Sequence, residues 1–317
     1  MWVYILFFAG FIILIKGADY LVEGASSIAK RFGLSPLFIG LTIVAFGTSA
    51  PELFVNLIAS IKGSAGIAIG NIVGSNIANI LLILGIAAAI YPLKVKDSTV
   101  RKEIPLSFLA ALALLVAIND HLVDGLSFNI LTRSDGLMLI FFFIIFLYYA
   151  FGIMISGSDD EVTVKERSQF LSWAMVAGGL AALVLGGKWI VDNGLIIAQV
   201  LNISDALVGL TIVAIGTSLP ELATSAVAAY KHKPDIAIGN VVGSNIFNIF
   251  WILGISSIIK PIEFAPALNF DVIAAVVATL LLLAALFIGE KKVLQKWQGY
   301  FFIMLYIAYI VFLIYRG

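Results

Sequence analysis

The chain has 317 residues, of which 62% are hydrophobic and 12% charged, and its 19 basic and 19 acidic residues give a formal net charge of +0. Soluble domains carry about a quarter charged residues, so this composition indicates a protein of the lipid bilayer. No basic patch is present for nucleic acid, and the lack of cysteine excludes disulfides, zinc–thiolate sites and cysteine nucleophiles. Two histidines are too few for a histidine-based metal site, and no GxxxxGK[ST] loop indicates use of ATP.

Ten apolar runs follow one another along the chain, with charged residues or prolines between them. A helix needs about 20 apolar residues to cross the hydrocarbon of a bilayer. The runs therefore predict an all-α membrane protein with ten transmembrane helices, near residues 2–22, 36–60, 66–91, 104–119, 134–155, 169–190, 205–230, 235–260, 268–289 and 297–315.

Lys and Arg are concentrated in the odd-numbered connections between these runs, for example at Lys30 and Arg31 and at Arg101 and Lys102. Cytoplasmic loops are enriched in these residues, so the odd loops are predicted to be cytoplasmic. Both termini then lie on the extracellular or periplasmic side of the plasma (cell inner) membrane. The first run lacks the basic start and small-residue cleavage site of a signal peptide and is predicted to be a span.

Two segments recur almost unchanged 169 residues further along the chain. GLTIVAFGTSAPEL at 40–53 matches GLTIVAIGTSLPEL at 209–222 at all but two of 14 positions. IAIGNIVGSNIANILLILG at 67–85 matches IAIGNVVGSNIFNIFWILG at 236–254 at all but four of 19. The chain is thus predicted to comprise a first half at 1–155, a cytoplasmic linker at 156–168 and a second half at 169–317.

Each half holds five predicted spans, and because five is odd the second half enters the membrane from the opposite face. The predicted fold therefore consists of two inverted five-helix repeats. This architecture is typical of secondary transporters, whose substrate site lies between the repeats near the membrane midplane.

Glu52 and Glu221 are the carboxylates that fall well inside apolar segments, at equivalent positions of the repeats. An ionisable group at such depth costs at least about 2.5 kcal/mol and marks a candidate functional site. Each follows a proline, Pro51 or Pro220, which removes a helix hydrogen bond, so we expect the helix to bend and release carbonyl oxygens. Carbonyl and carboxylate oxygens are ligands for a hard cation. The alternative is a kinked packing helix whose Ser and Thr side chains bond to their own carbonyls.

Small polar side chains accompany each glutamate. Helical spacing places Ala45, Thr48 and Glu52 on one face, with Ser49 beside them, and the second repeat matches them with Ala214, Thr217, Ser218 and Glu221. The second motif adds polar residues at i, i+4 steps in both copies: Asn71, Ser75 and Asn79, and Asn240, Ser244 and Asn248. Glycines at 66, 70, 74, 239 and 243 are predicted to allow close helix approach, which would bring the asparagines near the glutamates.

These four motif segments, present twice in a ten-span inverted repeat, resemble the alpha-repeats of the cation/calcium antiporter superfamily, close to prokaryotic sodium/calcium exchangers. The resemblance implies exchange of Ca²⁺ for Na⁺ by alternating access, with spans 1 and 6 sliding against a core of spans 2, 3, 7 and 8. It implies no cofactor and no enzymatic activity, and we expect the chain to function as a monomer in the bilayer. It also implies metal ligands at Ala45 and Ala214 (carbonyls), Thr48, Thr217, Ser49, Ser218, Glu52, Glu221, Ser75, Ser244, Asn79 and Asn248.

The chain departs from this family at Asn248, where such exchangers commonly carry an aspartate. Two ionised glutamates are balanced by one Ca²⁺, whereas three Na⁺ would leave a positive charge. The departure leaves H⁺ open as the coupling ion, because a buried glutamate can exchange a proton for a cation. A cation channel and an intramembrane enzyme are further alternatives. The chain shows no filter-like loop, however, and its scarce histidines and absent cysteines disfavour an enzyme.

Overall fold

The computed structural model describes residues 2–123, 125, 127–153, 167–200 and 214–316. The described chain is mostly helical, as predicted. The predicted linker at 156–168 lies outside it except for residues 167 and 168, and so does the segment 205–213 of the seventh predicted span. The helices are α1 Trp2–Phe32, α2 Pro36–Thr48, α3 Ala50–Lys62, α4 Ala65–Ile90, α5 Ile104–Ala117, α6 Asp120–Val123, α7 Arg133–Ile153, α8 Gln169–Val200, α9 Ala214–Thr217, α10 Leu219–Tyr230, α11 Pro234–Ile259, α12 Asn269–Ala285 and α13 Lys296–Arg316.

Six of the described helices are long and apolar enough to cross a membrane, and the bent pair formed by α2 and α3 would make a seventh span. The other predicted spans coincide with shorter described helices: α5, α12, and α9 with α10. The count of ten spans therefore stays a prediction. Helices α4 and α11 are the most deeply enclosed of the six, because 78% of the apolar window of each is buried inside the protein. These two helices lie at the centre of the protein and carry Ser75, Asn79, Ser244 and Asn248 of the predicted site.

The helix that carries each Pro-Glu motif is interrupted, as the prolines predict. The axes of α2 and α3 differ by 46°, and the break falls at Ser49, whose φ and ψ are −81° and 6°. Ser218 separates α9 from α10 with nearly the same angles, −88° and 5°. The proline lies in the first turn of the following helix in both copies. A proline is tolerated there because the first-turn N–H groups have no partner within the helix.

Four described segments are π-helical, a feature that the hydrophobic pattern does not distinguish from an α-helix. They are Gly40–Val44, Ala78–Ile83, Thr99–Glu103 and Phe247–Leu253. Two of them occupy equivalent places in the repeats and contain Asn79 and Asn248. Single π-turns inside α-helices are frequent at functional sites.

Glycines bring helices α1 and α8 together as an antiparallel pair. A Cβ at Gly17 would lie 2.9 Å from the carbonyl oxygen of Gly179, and a Cβ at Gly179 would lie 2.8 Å from that of Gly17. Gly10 meets Gly186 in the same way. The two backbones are thus in contact over several turns, which is the packing typical of small residues in membrane helices.

Gly179→Ala is expected to lower the free energy of unfolding by about 1 to 3 kcal/mol, because the added methyl group has no room against α1. The neighbouring Gly178 is exposed, and a methyl group added there would meet no atom within 4 Å, so Gly178→Ala provides the matched control. It should be neutral or slightly stabilising, since alanine favours a helix more than glycine does. Thermal unfolding of both variants in detergent measures the difference. Equal unfolding temperatures would contradict the close α1–α8 contact.

Gly239 and Gly243 allow α11 to approach α2, as predicted for these glycines. A Cβ at Gly239 would lie 3.0 Å from the backbone nitrogen of Leu41, and one at Gly243 would lie 2.8 Å from the Cβ of Ala45. The equivalent partner of Gly70 and Gly74 is the segment 206–214, of which only residue 214 is described. The prediction for the first repeat's glycines stays untested there.

Short antiparallel strand pairs and polar contacts connect the loops. Strand β1 (Leu93–Lys94) pairs with β4 (Val293–Leu294), and β2 (Ile130–Leu131) pairs with β3 (Ile262–Glu263). The first pair joins the third and ninth connections between predicted spans, and the second joins the fourth and eighth. Each pair therefore joins connections of the same parity, as a chain that crosses the bilayer at each span requires.

Candidate cation-binding site

The predicted site residues of both repeats meet in one buried cluster at the two helix breaks. Helices α2 and α3 bring Thr48, Ser49 and Glu52, and α4 brings Ser75 and Asn79. The second copy contributes Thr217, Ser218, Glu221, Ser244 and Asn248 from α9 to α11. Both glutamates are 1% exposed. The cluster thus lies in the core between the two repeats.

Each glutamate is bound by a serine of the other repeat. Ser49 donates to Glu221 Oε1 over 2.9 Å and lies 3.0 Å from the hydroxyl of Ser244. Ser218 donates to Glu52 Oε1 over 3.3 Å and lies 3.0 Å from the hydroxyl of Ser75. The two half-sites are therefore equivalent and share their hydrogen bonds across the repeat interface.

Threonines extend these contacts to the first asparagine of the second motif. Thr48 donates to Asn240 Oδ1 over 3.0 Å, and Thr217 donates to Asn71 Oδ1 over 3.3 Å. The carbonyl of Ala45 accepts the backbone N–H of Ser49 at 3.0 Å and lies 3.4 Å from the hydroxyl of Thr48. Ala214 begins α9 in the second copy. Asn71 and Asn240 thus hold the threonines, whereas Ser75 and Ser244 contact the glutamates.

Four asparagines form a reciprocal network between α4 and α11. The amide of Asn76 donates to the backbone carbonyl of Asn245 over 3.2 Å, and that of Asn245 to the backbone carbonyl of Asn76 over 3.3 Å. The side-chain oxygen of Asn245 accepts a hydrogen bond from the amide of Asn79, and that of Asn76 accepts one from the amide of Asn248, both over 2.9 Å. This network fixes which way the outer two amides point. The oxygen of each is left free.

The cluster contains four buried oxygen atoms without a hydrogen-bond donor. They are Oε2 of Glu52, Oε2 of Glu221, Oδ1 of Asn79 and Oδ1 of Asn248. Asn79 and Asn248 follow Ser75 and Ser244 by one helical turn, and Ser75 and Ser244 contact the glutamates. An unpaired buried acceptor costs about 1 to 3 kcal/mol, so these four oxygens are candidates to bind a ligand. Oxygen atoms alone, two of them from carboxylates, suit a hard cation such as Ca²⁺ or Na⁺ better than a transition metal. No group of three or more acidic, histidine or cysteine side chains that could hold a metal occurs among the described residues.

Two further carboxylates are buried among the described residues, although the sequence places them at the ends of predicted spans. Glu103 is completely buried and accepts a hydrogen bond from Tyr149, and Asp271 pairs with Arg316 at 2.8 Å. Both lie at the start of a predicted span. Sequence position alone therefore suggested solvent contact, while the neighbouring helices cover them.

Asn76 and Asn245 are the residues that the sequence interpretation missed. They stand at equivalent places in the two GSNI motifs, so the repeat itself carried the signal. The i, i+4 stripe from Asn71 to Asn79 skips this position. It faces the other repeat because α4 and α11 cross at the centre of the protein.

Two half-sites that meet between internal repeats and offer free oxygen ligands are typical of secondary transporters. The chain belongs to the family described as sodium/calcium exchanger protein, whose model matches residues 2–152 and 171–315.

Relatives and solved structures cover nearly the whole chain. The "Putative antiporter CaxA" of Alkalimonas amylolytica is 38% identical over 316 residues, which cover 95% of each chain. The "Sodium/calcium exchanger MaX1" of Methanosarcina acetivorans is 34% identical over an alignment of 348 residues that covers 98% of each chain. A structure of the sodium-calcium exchanger NCX_Mj, soaked with 10 mM Na⁺ and zero Ca²⁺, superposes with a TM-score of 0.84 at 32% identity and covers 98% of each chain.

Proposed function

We propose that the protein is an antiporter that exchanges Ca²⁺ for Na⁺ across the plasma or inner membrane by alternating access. The observation that carries this proposal is the pair of buried glutamates, each with one oxygen free and the other held by a serine of the opposite repeat. The exchangers and antiporters among its relatives support it. Transport, rather than catalysis, is the activity that these relatives share by name.

The proposed ligands are the oxygens that the cluster brings together. Ca²⁺ takes six to eight oxygen ligands. The two glutamates and two asparagines supply the four free oxygens, and the hydroxyls of Ser49, Ser75, Ser218 and Ser244 lie beside them. Thr48, Thr217 and the carbonyls of Ala45 and Ala214 complete the proposed set. One chain supplies both half-sites, which favours a functional monomer.

In the proposed cycle the α1–α8 pair moves relative to the central helices. The glycine contacts hold this pair together as a unit. One end of the pair, which the predicted topology places on the cytoplasmic side, contacts the connection between α10 and α11. There Lys231 contacts Asp19 and lies 2.9 Å from Glu23, which also pairs with Arg167 at 2.7 Å. These ion pairs would have to separate when the site opens to that face.

Two nearby lysines are expected to affect stability in opposite directions. Lys231→Met should lower the unfolding temperature by a few degrees, because it leaves Asp19 without this partner and Glu23 with only Arg167. The pKa of Lys233 is lowered to about 8, mainly by burial and then by the charge of Lys231. Lys233→Met should therefore be neutral or stabilising at pH 7, despite the lost hydrogen bond to Ser26.

The pH dependence tests the role of Lys233 directly. Between its lowered pKa and the ordinary lysine value the unfolded chain holds a proton that the folded protein has released, so stability from this group rises with pH above about 8. Unfolding temperatures measured from pH 7 to 10 should show this rise in the parent, a smaller one in Lys231→Met, which lacks the neighbouring positive charge, and the smallest in Lys233→Met. The same slope in all three proteins would contradict the assignment.

The coupling ion is decided by ⁴⁵Ca²⁺ uptake into proteoliposomes loaded with Na⁺, with K⁺ or with acidic buffer, each diluted into medium without that ion. Uptake with internal Na⁺ alone is the expected result. Uptake with internal acid alone would favour a second candidate, a proton-coupled cation exchanger, which the amide at position 248 supports by leaving only two carboxylates in the cluster. Uptake without any counter-ion would indicate a channel.

A further inference from the structure

Helix α3 buries a stripe of polar side chains that runs from Glu52 toward the C-terminal end of the helix. Its buried side chains are Glu52, Asn56, Ala59 and Ser60, so three of the four are polar and follow one another at i, i+4 steps. Asn56 is 0% exposed, and neither its oxygen nor its nitrogen has a hydrogen-bond partner. The hydroxyl of Ser60 is also unpartnered. A buried amide that makes no hydrogen bond at all costs several kcal/mol in a membrane interior.

Asn71 of α4 belongs to the same group. The repeat places Asn56 and Asn71 where the second half has Ser225 and Asn240, and those two side chains are hydrogen bonded at 2.9 Å. In the first half the side-chain nitrogen of Asn71 is instead buried without a partner. Unpartnered polar atoms therefore run from Glu52 Oε2 through Asn56 and Asn71 to Ser60.

The chemistry of these atoms selects their ligand. The side-chain nitrogens of Asn56 and Asn71 can only donate hydrogen bonds, whereas Oε2 of Glu52 and Oδ1 of Asn56 accept them. The hydroxyl of Ser60 can do either. A metal cation would satisfy the acceptors and leave both donors unpaired. Water satisfies both kinds of group, and buried water typically makes about three such bonds.

The stripe ends at a cavity that opens away from the cation site. A cavity of about 150 Å³ is lined by Ser60, Gly63, Lys260 and Glu263, among others. A larger cavity of about 760 Å³ shares Glu263 with it. This mouth carries one lysine and one glutamate, so its charges balance, and its polar lining is one that water can occupy.

The second repeat does not repeat this feature. Ser225 accepts from Asn240, and position 229, which corresponds to Ser60, is an alanine. The only buried hydroxyl without a partner on the described part of α10 is that of Thr224, and the buried Ala228 lies one turn beyond it. The polar stripe is thus specific to the half that carries Glu52.

We propose that Asn56, Asn71 and Ser60 hold a chain of water molecules that connects Glu52 to the cavity beside Lys260. Water reaches Glu52 from that end of the stripe along this chain, while the described part of the second repeat offers Glu221 no equivalent route. The two glutamates are thereby unequal in spite of the symmetric cluster. The proposal rests on the water path alone and holds whichever cation the cluster transports.

Hydroxyl-radical labelling tests the path, because X-ray pulses generate the radical from water itself. The chain has no cysteine, so single cysteines report without background. Asn56→Cys and Ser60→Cys place a small, readily oxidised side chain on the stripe, and Ser225→Cys and Ala229→Cys are the matched controls in the second repeat. Mass spectrometry of the folded, lipid-embedded proteins should show oxidation at 56 and 60 at least about tenfold faster than at 225 and 229. Equal rates in the two repeats would overturn the proposal.

A second variant keeps the test decisive if a cysteine disturbs the stripe. Asn56→Leu fills the path with an apolar group of similar size. Combined with Glu52→Cys, it should lower the oxidation rate at position 52 at least fivefold, while Ser60→Cys beside the cavity should react at its former rate when combined with Asn56→Leu. An undiminished rate at position 52 would show that water arrives by another route. Since no transport is measured, failure here would leave the proposed exchange activity unaffected.

Discussion

Glu52→Gln and Glu221→Gln are each expected to lower Ca²⁺ uptake at least about 100-fold. Each change removes one of the two negative charges that balance Ca²⁺, and removal of one partner from a buried charge pair costs about 3 to 5 kcal/mol. The amide also brings N–H groups toward the cation, which repel it. Uptake of ⁴⁵Ca²⁺ into Na⁺-loaded proteoliposomes and Ca²⁺ binding by calorimetry provide two independent measurements.

Glu103→Gln is the matched control for both variants. Glu103 is as deeply buried as the two site glutamates but lies at the start of a different helix, with Tyr149 as its partner. Glutamine retains an oxygen that can accept the hydrogen bond from Tyr149, so transport should persist. Near-normal uptake by Glu52→Gln or Glu221→Gln would overturn the site assignment.

Asn248→Asp is expected to introduce a new pH dependence into transport and to change the affinity for the coupling ion about tenfold or more. Aspartate adds a third titratable group beside the two glutamates. It also loses the N–H that Asn248 donates to Asn76, so two oxygens would face each other where a hydrogen bond of 2.9 Å now lies. We expect uptake to fall as the pH is lowered through the titration of this carboxyl, because its protonation removes a ligand charge.

Asn119→Asp is the control for that experiment, because it adds a carboxyl outside the cluster. Asn119 lines the larger cavity and is hydrogen bonded to Asn269 at 2.7 Å. Its pH profile should match that of the parent protein. A profile of Asn248→Asp that also matches the parent would show that position 248 lies outside the cation pocket.

Much of the site could be predicted because the same polar residues recur at equivalent positions of the two repeats. The break at Ser49 follows from the proline two residues later, and the duplicated motifs predicted that Glu52 and Glu221 would lie at equivalent places of one site. The pairing of Ser49 with Glu221, rather than with Glu52 on its own helix, could not be predicted. It depends on how far the two broken helices approach each other, which no local pattern encodes.

The remaining differences have similar physical causes. Helix α1 continues to Phe32, ten residues beyond its predicted span, because Glu23 is neutralised by Lys231 and Arg167, which are distant in sequence. The stripe through Asn56 was not predicted because a single asparagine in an apolar helix gives no indication of whether it finds a partner. Only the packed structure shows that its two polar atoms have none.

The π-helical segments at Ala78–Ile83 and Phe247–Leu253 bear on how the chain evolved, because they occupy equivalent places in the two repeats. A π-turn arises when one residue is inserted into an α-helix, and the same insertion at the same place in both halves is most simply inherited from a single ancestor. The wide turn that carries Asn79 and Asn248 therefore predates the gene duplication. The difference between Asn56 and Ser225, by contrast, arose after the duplication, because identical copies would carry the same residue at both places.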